Sequence, residues 1–397
     1  MYKILTLNNI SVVGLDRLPR GSYEVASEIT HPDAILVRSA DMHDMEVPET
    51  VQAIGRAGAG INNIPIARMT ERGVPVFNAP GANANAVKEL VIAGMLLAAR
   101  NIAQSWRFAC GLTGDDAAIH QAVESGKRQF VGFELPGRTL GVIGLGAIGV
   151  QVANTARALG MKVIGYDPTI TVRRAWQLES EVGQAASVDD LVRRSDFISF
   201  HVPLTDETRG MINAERLKCM KAGGVLLNFS RNGIVDDTAA VSALNAGILH
   251  AYVCDFPNNL LKDHPRVVTL PHIGASTREA QENCAVMVAG QVREWLEDGN
   301  VHNSVNFPEI KLPRNGGGYR LAVVNNNVPN MVGQISTDLA LVGLNILDML
   351  NRSRNTVAVT LIDVDREPPS ETLSKIRAID GVLSVRCLGC SKSGHEH

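Results

Sequence analysis

The stretch TLGVIGLGAIG, residues 139–149, constrains this chain more than any other. An apolar run that reads as a buried strand leads directly into Gly144, Gly146 and Gly149, and a helical pattern starts within the same turn. Three glycines at this spacing have separate physical tasks. The first permits the tight turn, the second lets a pyrophosphate approach the backbone, and the third lets helix and strand pack closely. The free N–H groups around Ala147, Ile148 and Gly149 at the helix start then face the phosphates. A second strand, MKVIGYDP, ends in Asp167, eighteen residues after Gly149. A carboxylate there accepts from ribose hydroxyls and repels a 2′-phosphate, so NAD is expected rather than NADP. The bland alternative, a structural glycine turn, leaves the acid unexplained.

The pattern around this unit is a β/α alternation, and a parallel sheet is expected. KILTLNN, AILVRS, AIGRAGAG and VPVFNAP read as strands in the first hundred residues. DFISFHVP, GVLLNFS, AYVCDF and RVVTLP continue the series after Asp167, and residues 278–299 form one long amphipathic helix. VHNSVNFPEIKLPRNGGG is rich in Asn, Pro and Gly, as a linker would be. From Tyr319 onward the order is βαββαβ, a small sheet with two helices on one face.

Bulk properties exclude several classes. Aromatics are 4 % and the net charge is −3, which argues against a nucleic-acid footprint. No apolar stretch is long enough to span a bilayer, and the first residues read as a strand rather than a signal peptide. The six cysteines are scattered, as in a reduced cytoplasmic protein. Cys387 and Cys390, with His395 and His397, have metal-capable chemistry but lie at a fraying terminus, and no metal site is expected.

Other strand ends carry chemistry. RVVTLPHIGAST places His272 and Gly274 after an apolar strand, where α/β sheets bind ligands, although a lone histidine is often a packed loop residue. NFSRNGIVD places Arg231 at another strand end, with Asn228 and Ser230 beside it. A guanidinium there can grip a carboxylate bidentately or can be an ordinary surface ion-pair residue. HVPLTDETRGMIN brings His201, Val202 and Pro203 after a strand, as cofactor-side loop or as strand-end packing. GRAGAGINN offers backbone N–H groups near Ala59 and Gly60, NAPGANANAVKE offers Asn83, and Arg38 and Arg56 at neighbouring strand ends can converge on a phosphate.

In this order, VRSAD, AGAGINN, NAPGANANAVKE, GxGxxG, HVPLTDETRGMIN, the Arg231 strand and PHIGAST resemble the D-isomer-specific 2-hydroxyacid dehydrogenases over residues 1–312. The tail YRLAVVNNNVPNMVGQISTDLALVGLNI resembles the ACT regulatory domain of D-3-phosphoglycerate dehydrogenases. The resemblance implies two Rossmann-like, doubly wound parallel-sheet domains plus a C-terminal βαββαβ ACT domain. The substrate domain would be 1–100 with 276–312, the NAD domain 101–275, the linker 313–317, the ACT domain 318–390 and the tail 391–397. It also implies oxidation of 3-phosphoglycerate in the cleft between the first two domains. His272 is then the general acid/base, suited by an imidazole's titration near neutrality. Arg231 binds the substrate carboxylate, and Asp255 lies near the nicotinamide amide.

The family places a glutamate beside the histidine, and AYVCDFPNNLLKDHPRVVTLPHIG contains none. Asp263 or Asn259 is the expected stand-in. Lys127 and Arg128 fall in a helical arm that in this family crosses to a partner subunit, so Arg128 is a candidate substrate residue from the neighbour and a homodimer or homotetramer is expected. Asn325, Asn327 and Asn345 match positions that contact serine in similar dehydrogenases, and Asn330 stands where a glycine is usual. The rival readings are a dehydrogenase of another D-2-hydroxy acid and a non-enzymatic NAD-sensing protein of the same fold.

Overall fold

A computed structural model describes residues 1–314 and 318–389. Cys390, His395 and His397 lie outside these residues. Contacts divide the chain into two compact units, one made of 1–83 with the segment from 278 onward, the other of 84–277.

The first sheet is all parallel, with β1 (Tyr2–Leu7), β2 (Tyr23–Ala26), β3 (Ala34–Val37), β4 (Ala53–Arg56) and β5 (Val76–Phe77) in the order β2-β1-β3-β4-β5. Alternate side chains of a strand face opposite sides. Ile4, Leu36, Ala53 and Phe77 accordingly enter one core, while Leu5, Ile35, Ile54 and Val76 enter the other. Strands covered on both faces read as continuous apolar runs, and these do.

The second sheet holds β6 (Thr139–Ile143), β7 (Lys162–Tyr166), β8 (Gly183–Gln184), β9 (Phe197–Phe200), β10 (Gly224–Asn228), β11 (Leu249–Cys254) and β12 (Val267–Thr269). Its order, β12-β11-β10-β9-β6-β7-β8, reverses between β6 and β9. Such a reversal opens a crevice at the carboxyl ends of the strands. The helix Ala84–Ala99 was expected in the first domain. Its Val87, Val91, Met95 and Ala98 instead pack with Val142, Val225, Leu227 and Val253 of the second sheet, which moves the boundary to Asn83/Ala84.

The third sheet is antiparallel, with β13 (Tyr319–Asn326), β14 (Ile346–Arg354), β15 (Val357–Val364) and β16 (Val382–Leu388) in the order β14-β15-β13-β16. Leu321, Val323, Ile362 and Val364 face the helices Met331–Leu341 and Ser370–Ala378 through Ile335, Leu339 and Ile376. Residues 318–390 were expected as a domain of their own, and the sequence does not say what covers the opposite face of the sheet. Ala322, Val324, Val357, Val359, Leu361 and Leu388 join the core of the first unit beside Trp295, Phe307 and Phe77. No helix among the described residues is long and apolar enough to cross a membrane.

Candidate active site

The glycine turn has the geometry its sequence requires. Gly144 adopts φ 90°, and a Cβ there would lie 2.5 Å from the His201 carbonyl oxygen. A Cβ on Gly149 would collide with the Gly144 carbonyl oxygen, so the third glycine is a packing requirement. Gly146 differs, because nothing lies within 4 Å of its would-be Cβ. The space above it is open, as close approach of a phosphate demands. Gly146 also caps the helix Ala147–Ala158 with no side chain, leaving its first N–H groups available. Asp167 is fixed beside this turn. Its Oδ2 accepts from Leu145 N–H at 2.9 Å and its Oδ1 from Thr169 N–H at 2.9 Å. A cavity of about 430 Å³ adjoins it, lined in part by Leu145, Pro168, Ile170 and Leu178. These residues suit a dinucleotide at its ribose end.

The loop after β9 forms a neighbouring wall. His201 N–H donates to Ile143 O at 2.7 Å, and its ring Nε2 pairs with the buried Ser199 Oγ at 2.9 Å. Burial pushes this imidazole down to about 3, and Nδ1 has no hydrogen-bond partner. The side chain is therefore a neutral packing group, and it is the backbone of His201 that touches the glycine turn. Val202 O accepts from Ser230 Oγ at 3.1 Å, and Pro203 O from Thr208 Oγ1 at 2.7 Å.

These bonds tie the loop to the end of β10. Asn228, 1 % exposed, donates from Nδ2 to Arg231 O at 3.0 Å and accepts from Ser230 N–H at 3.3 Å. The Arg231 backbone is held while its side chain stays exposed. Its Nη1 donates to Ser230 O at 2.6 Å, and the rest of the guanidinium has no protein hydrogen bond among the described residues.

His272 sits in the next loop but one, at φ 55°. Asp255, 1 % exposed, holds that loop rather than the ring. Its Oδ1 accepts from Ile273 N–H at 2.8 Å, its Oδ2 from Gly274 N–H at 2.7 Å, and its carbonyl from His272 N–H at 3.1 Å. Both carboxylate oxygens expected near a nicotinamide amide are thus engaged with backbone. The imidazole is exposed and meets Phe256 edge-on, with ring centroids 5.2 Å apart. Neither expected stand-in for the family glutamate bonds to it. Asp263 is exposed, with Lys262 Nζ 3.9 Å away, and Asn259 is exposed. The short loop instead turns its neighbour inward: Asn258 Nδ2 donates to Asp237 Oδ2 at 2.7 Å, and its Oδ1 accepts from Leu260 and Leu261 N–H. Tyr252 completes this network with Asp237 and Asn228, and burial raises the Asp237 carboxyl above its ordinary range. Sequence reading missed the network because Asn258 and Asp237 lie 21 positions apart in unremarkable loop and helix-start contexts.

The first unit gathers the anion-binding candidates. Arg38 follows β3 and Arg56 ends β4, and both guanidinia act on the buried Cys284 thiol, opposing the upward push of burial. The Arg56 guanidinium occupies the place that a Cβ on Gly58 would take. Asn78 Nδ2 donates to Ala59 O at 2.7 Å and Ala79 N–H to Gly58 O at 2.9 Å, fixing the Ala59–Gly60 turn. Asn63 Nδ2 donates to Ala40 O at 2.7 Å and steadies the loop after Arg38. Asn83 Oδ1 is buried without a hydrogen-bond partner. In the C-terminal module, Asn325 is buried, with Nδ2 on Asn326 O and Oδ1 unpartnered, whereas Asn327 and Asn345 are exposed. Asn330 adopts φ 65°, a left-handed conformation that Asn tolerates better than most residues. Arg128, in the second unit, lies exposed on a 3-10 turn. Among the described residues no group of three or more His, Cys, Asp or Glu side chains is arranged to hold a metal ion.

Residues 92–274 match the profile of the D-isomer specific 2-hydroxyacid dehydrogenase, NAD binding domain. A D-3-phosphoglycerate dehydrogenase of Haemophilus influenzae is 32 % identical over 87 % of this chain and 83 % of its own length. The chain belongs to the D-isomer-specific 2-hydroxyacid dehydrogenases. The matched segment of this dehydrogenase family contains the glycine turn, Arg231 and His272. A family member from Methanocaldococcus jannaschii, also a D-3-phosphoglycerate dehydrogenase, is 38 % identical over 74 % of this chain, which spans 55 % of that relative's length. The NAD⁺-bound 3-phosphoglycerate dehydrogenase of Entamoeba histolytica superposes with a TM-score of 0.61 at 27 % identity, over 77 % of this chain and 98 % of that one.

Proposed function

We propose that the chain is an NAD-dependent D-3-phosphoglycerate dehydrogenase forming 3-phosphohydroxypyruvate, the first step of L-serine synthesis. The observation that carries this reading is the pairing of two braced loops with two exposed side chains. Asn228 fixes the backbone of Arg231 and Asp255 fixes the backbone after His272, yet guanidinium and imidazole remain exposed. Such bracing holds reacting groups in place without consuming them.

NAD would lie on the open backbone at Gly146 with its ribose at Asp167, and when bound it supplies the hydride acceptor. Arg231 grips the substrate carboxylate and polarises the C2 oxygen. His272 takes the hydroxyl proton from that oxygen as the C2–H bond breaks and the ketone forms; in reverse it returns the proton. Arg38 and Arg56 neutralise the phosphate, and the N–H groups near Ala59 and Gly60, with Asn83, receive the carboxylate end. Among the described residues neither Asp263 nor Asn259 bonds to the His272 ring.

A cytoplasmic homo-oligomer is part of the proposal. The helices Ile102–Cys110 and Asp116–Gly126 contain no buried residue, and Trp106 is 67 % exposed. That arm suits a homodimer in which Arg128 serves the neighbour, and pairing of C-terminal modules would give a homotetramer. L-serine is the proposed effector at Asn325, Asn327 and Asn345, supported by the buried, unpartnered Asn325 oxygen.

The test is NADH formation from 3-phosphoglycerate, alongside glycerate and other D-2-hydroxy acids. Turnover of 3-phosphoglycerate that disappears in His272→Asn, with NAD affinity retained, is the expected result. NAD binding without turnover of any hydroxy acid would leave a sensor instead.

A further inference from the structure

The C-terminal βαββαβ module is bolted to the first unit through arginines that donate to backbone carbonyls. The long helix Arg278–Asp298 ends with carbonyls that a helix cannot satisfy internally. Arg386 donates to Trp295 O at 3.1 Å and to Leu296 O at 2.7 Å, Arg314 to Glu297 O at 3.3 Å and Arg320 to Asp298 O at 3.1 Å. Two of these three arginines lie in the module's own strands, β13 and β16. Arg320 is 1 % exposed and is held by a bidentate pair with Asp363 at 2.6 and 2.7 Å. Arg386 also lies 4.8 Å over the Trp295 ring. Cations at the negative end of a helix are favourable. Burying them here is compensated by these carbonyls, and burial lowers Arg386 to about 10.

A second line of contacts runs to the anion-binding turn. Arg354, at the end of β14, donates to Ser304 O at 3.0 Å, and Ser304 Oγ donates to Val76 O at 3.1 Å. Val76 opens β5, and Asn78, one residue past that strand, donates to Ala59 O. Phe77, between them, lies in the same core as Val324, Val359 and Leu361 of the module. The long helix also packs on β4 beside Arg56, where a Cβ on Gly55 would lie 3.0 Å from Val292 and 3.4 Å from Val288.

We propose that this module is a fixed positioning element of the anion-binding unit, in which Arg354 and Arg386 hold the turn at Ala59 and the strand end at Arg56. The substrate half of this inference rests on the function proposed above, in which that turn receives 3-phosphoglycerate.

The test uses the full chain with Arg354→Met and Arg386→Met, which keep the apolar stem and remove the donors. Arg354→Met is the milder change, because Arg354 is exposed. Amide hydrogen exchange at residues 55–60 should quicken by about tenfold in Arg354→Met, the scale of one lost hydrogen-bonded tie. In the same variant KM for 3-phosphoglycerate should rise about fivefold while KM for NAD stays within about twofold. Unchanged exchange at 55–60 overturns the positioning role whatever the substrate is. Faster exchange in a wild-type-like fold that never binds 3-phosphoglycerate keeps the positioning role and rejects the substrate. A lowered melting temperature with both KM values unchanged overturns the proposal by leaving the arginines purely structural.

Discussion

Gly274 N–H donates to Asp255 Oδ2 at 2.7 Å, and a Cβ on Gly274 would lie 3.1 Å from that same oxygen. The carboxylate thereby anchors the loop of His272 without touching its ring. Asp255→Ala leaves two N–H groups without their acceptor and should cost about 1–3 kcal/mol in urea unfolding. It should also lower kcat, because the imidazole loses its fixed backbone. A variant of wild-type stability and kcat would show that the anchor is dispensable.

The glycines of the turn should separate folding from cofactor binding. Gly144→Ala meets both φ 90° and the His201 carbonyl, so it should destabilise the apoprotein by about 1–3 kcal/mol. Gly146→Ala meets open space and should leave apoprotein unfolding within about 1 kcal/mol of wild type, while weakening NADH binding read by fluorescence. Equal NADH affinity in Gly146→Ala would argue that no phosphate approaches there.

His201 predicts an acid-sensitive fold. Its folded value of about 3 lies below the ordinary imidazole value of 6.5, so the unfolded state takes up a proton that the native state refuses. Stability from this residue is complete above 6.5, falls as pH drops from there towards 3, and loses at most about 1.4 kcal/mol per pH unit in that window. Unfolding curves collected across the window should flatten in His201→Asn. The same slope in that variant would assign the acid sensitivity to other groups.

Substrate charge should be read by the strand-end arginines. Arg38→Ala and Arg56→Ala should each raise KM for 3-phosphoglycerate by about tenfold or more, the scale of a charge-assisted contact, and alter glycerate kinetics far less. Parallel losses for both substrates would place these arginines on the carboxylate end instead.

The long parallel strands and the βαββαβ order were legible because strands buried on both faces are written as apolar runs. β2 and β8 were not, being edge strands of four and two residues without such a run. The glycine turn with Asp167 was legible because each glycine has its own steric reason. The roles of His201 and Asp255 were not, since a strand-end residue announces its chemistry but not the direction of its side chain. Asp263 and Asn259 were reasonable stand-ins for a missing glutamate, but a shortened loop has its own hydrogen bonds to satisfy, and Asn258 meets them with Asp237. The merging of the C-terminal module with the first unit depended on which face of a sheet stays open, and alternation alone marks both faces as apolar.

The left-handed backbone at residue 272 narrows the sequence space there before any proton moves. Outside glycine, that region of dihedral space favours Asn, Asp and His. Of these, histidine alone exchanges a proton near neutrality from an ordinary imidazole. A lysine or glutamate placed at 272 would first have to distort the turn that Asp255 holds, so swapping the base requires rebuilding the loop as well.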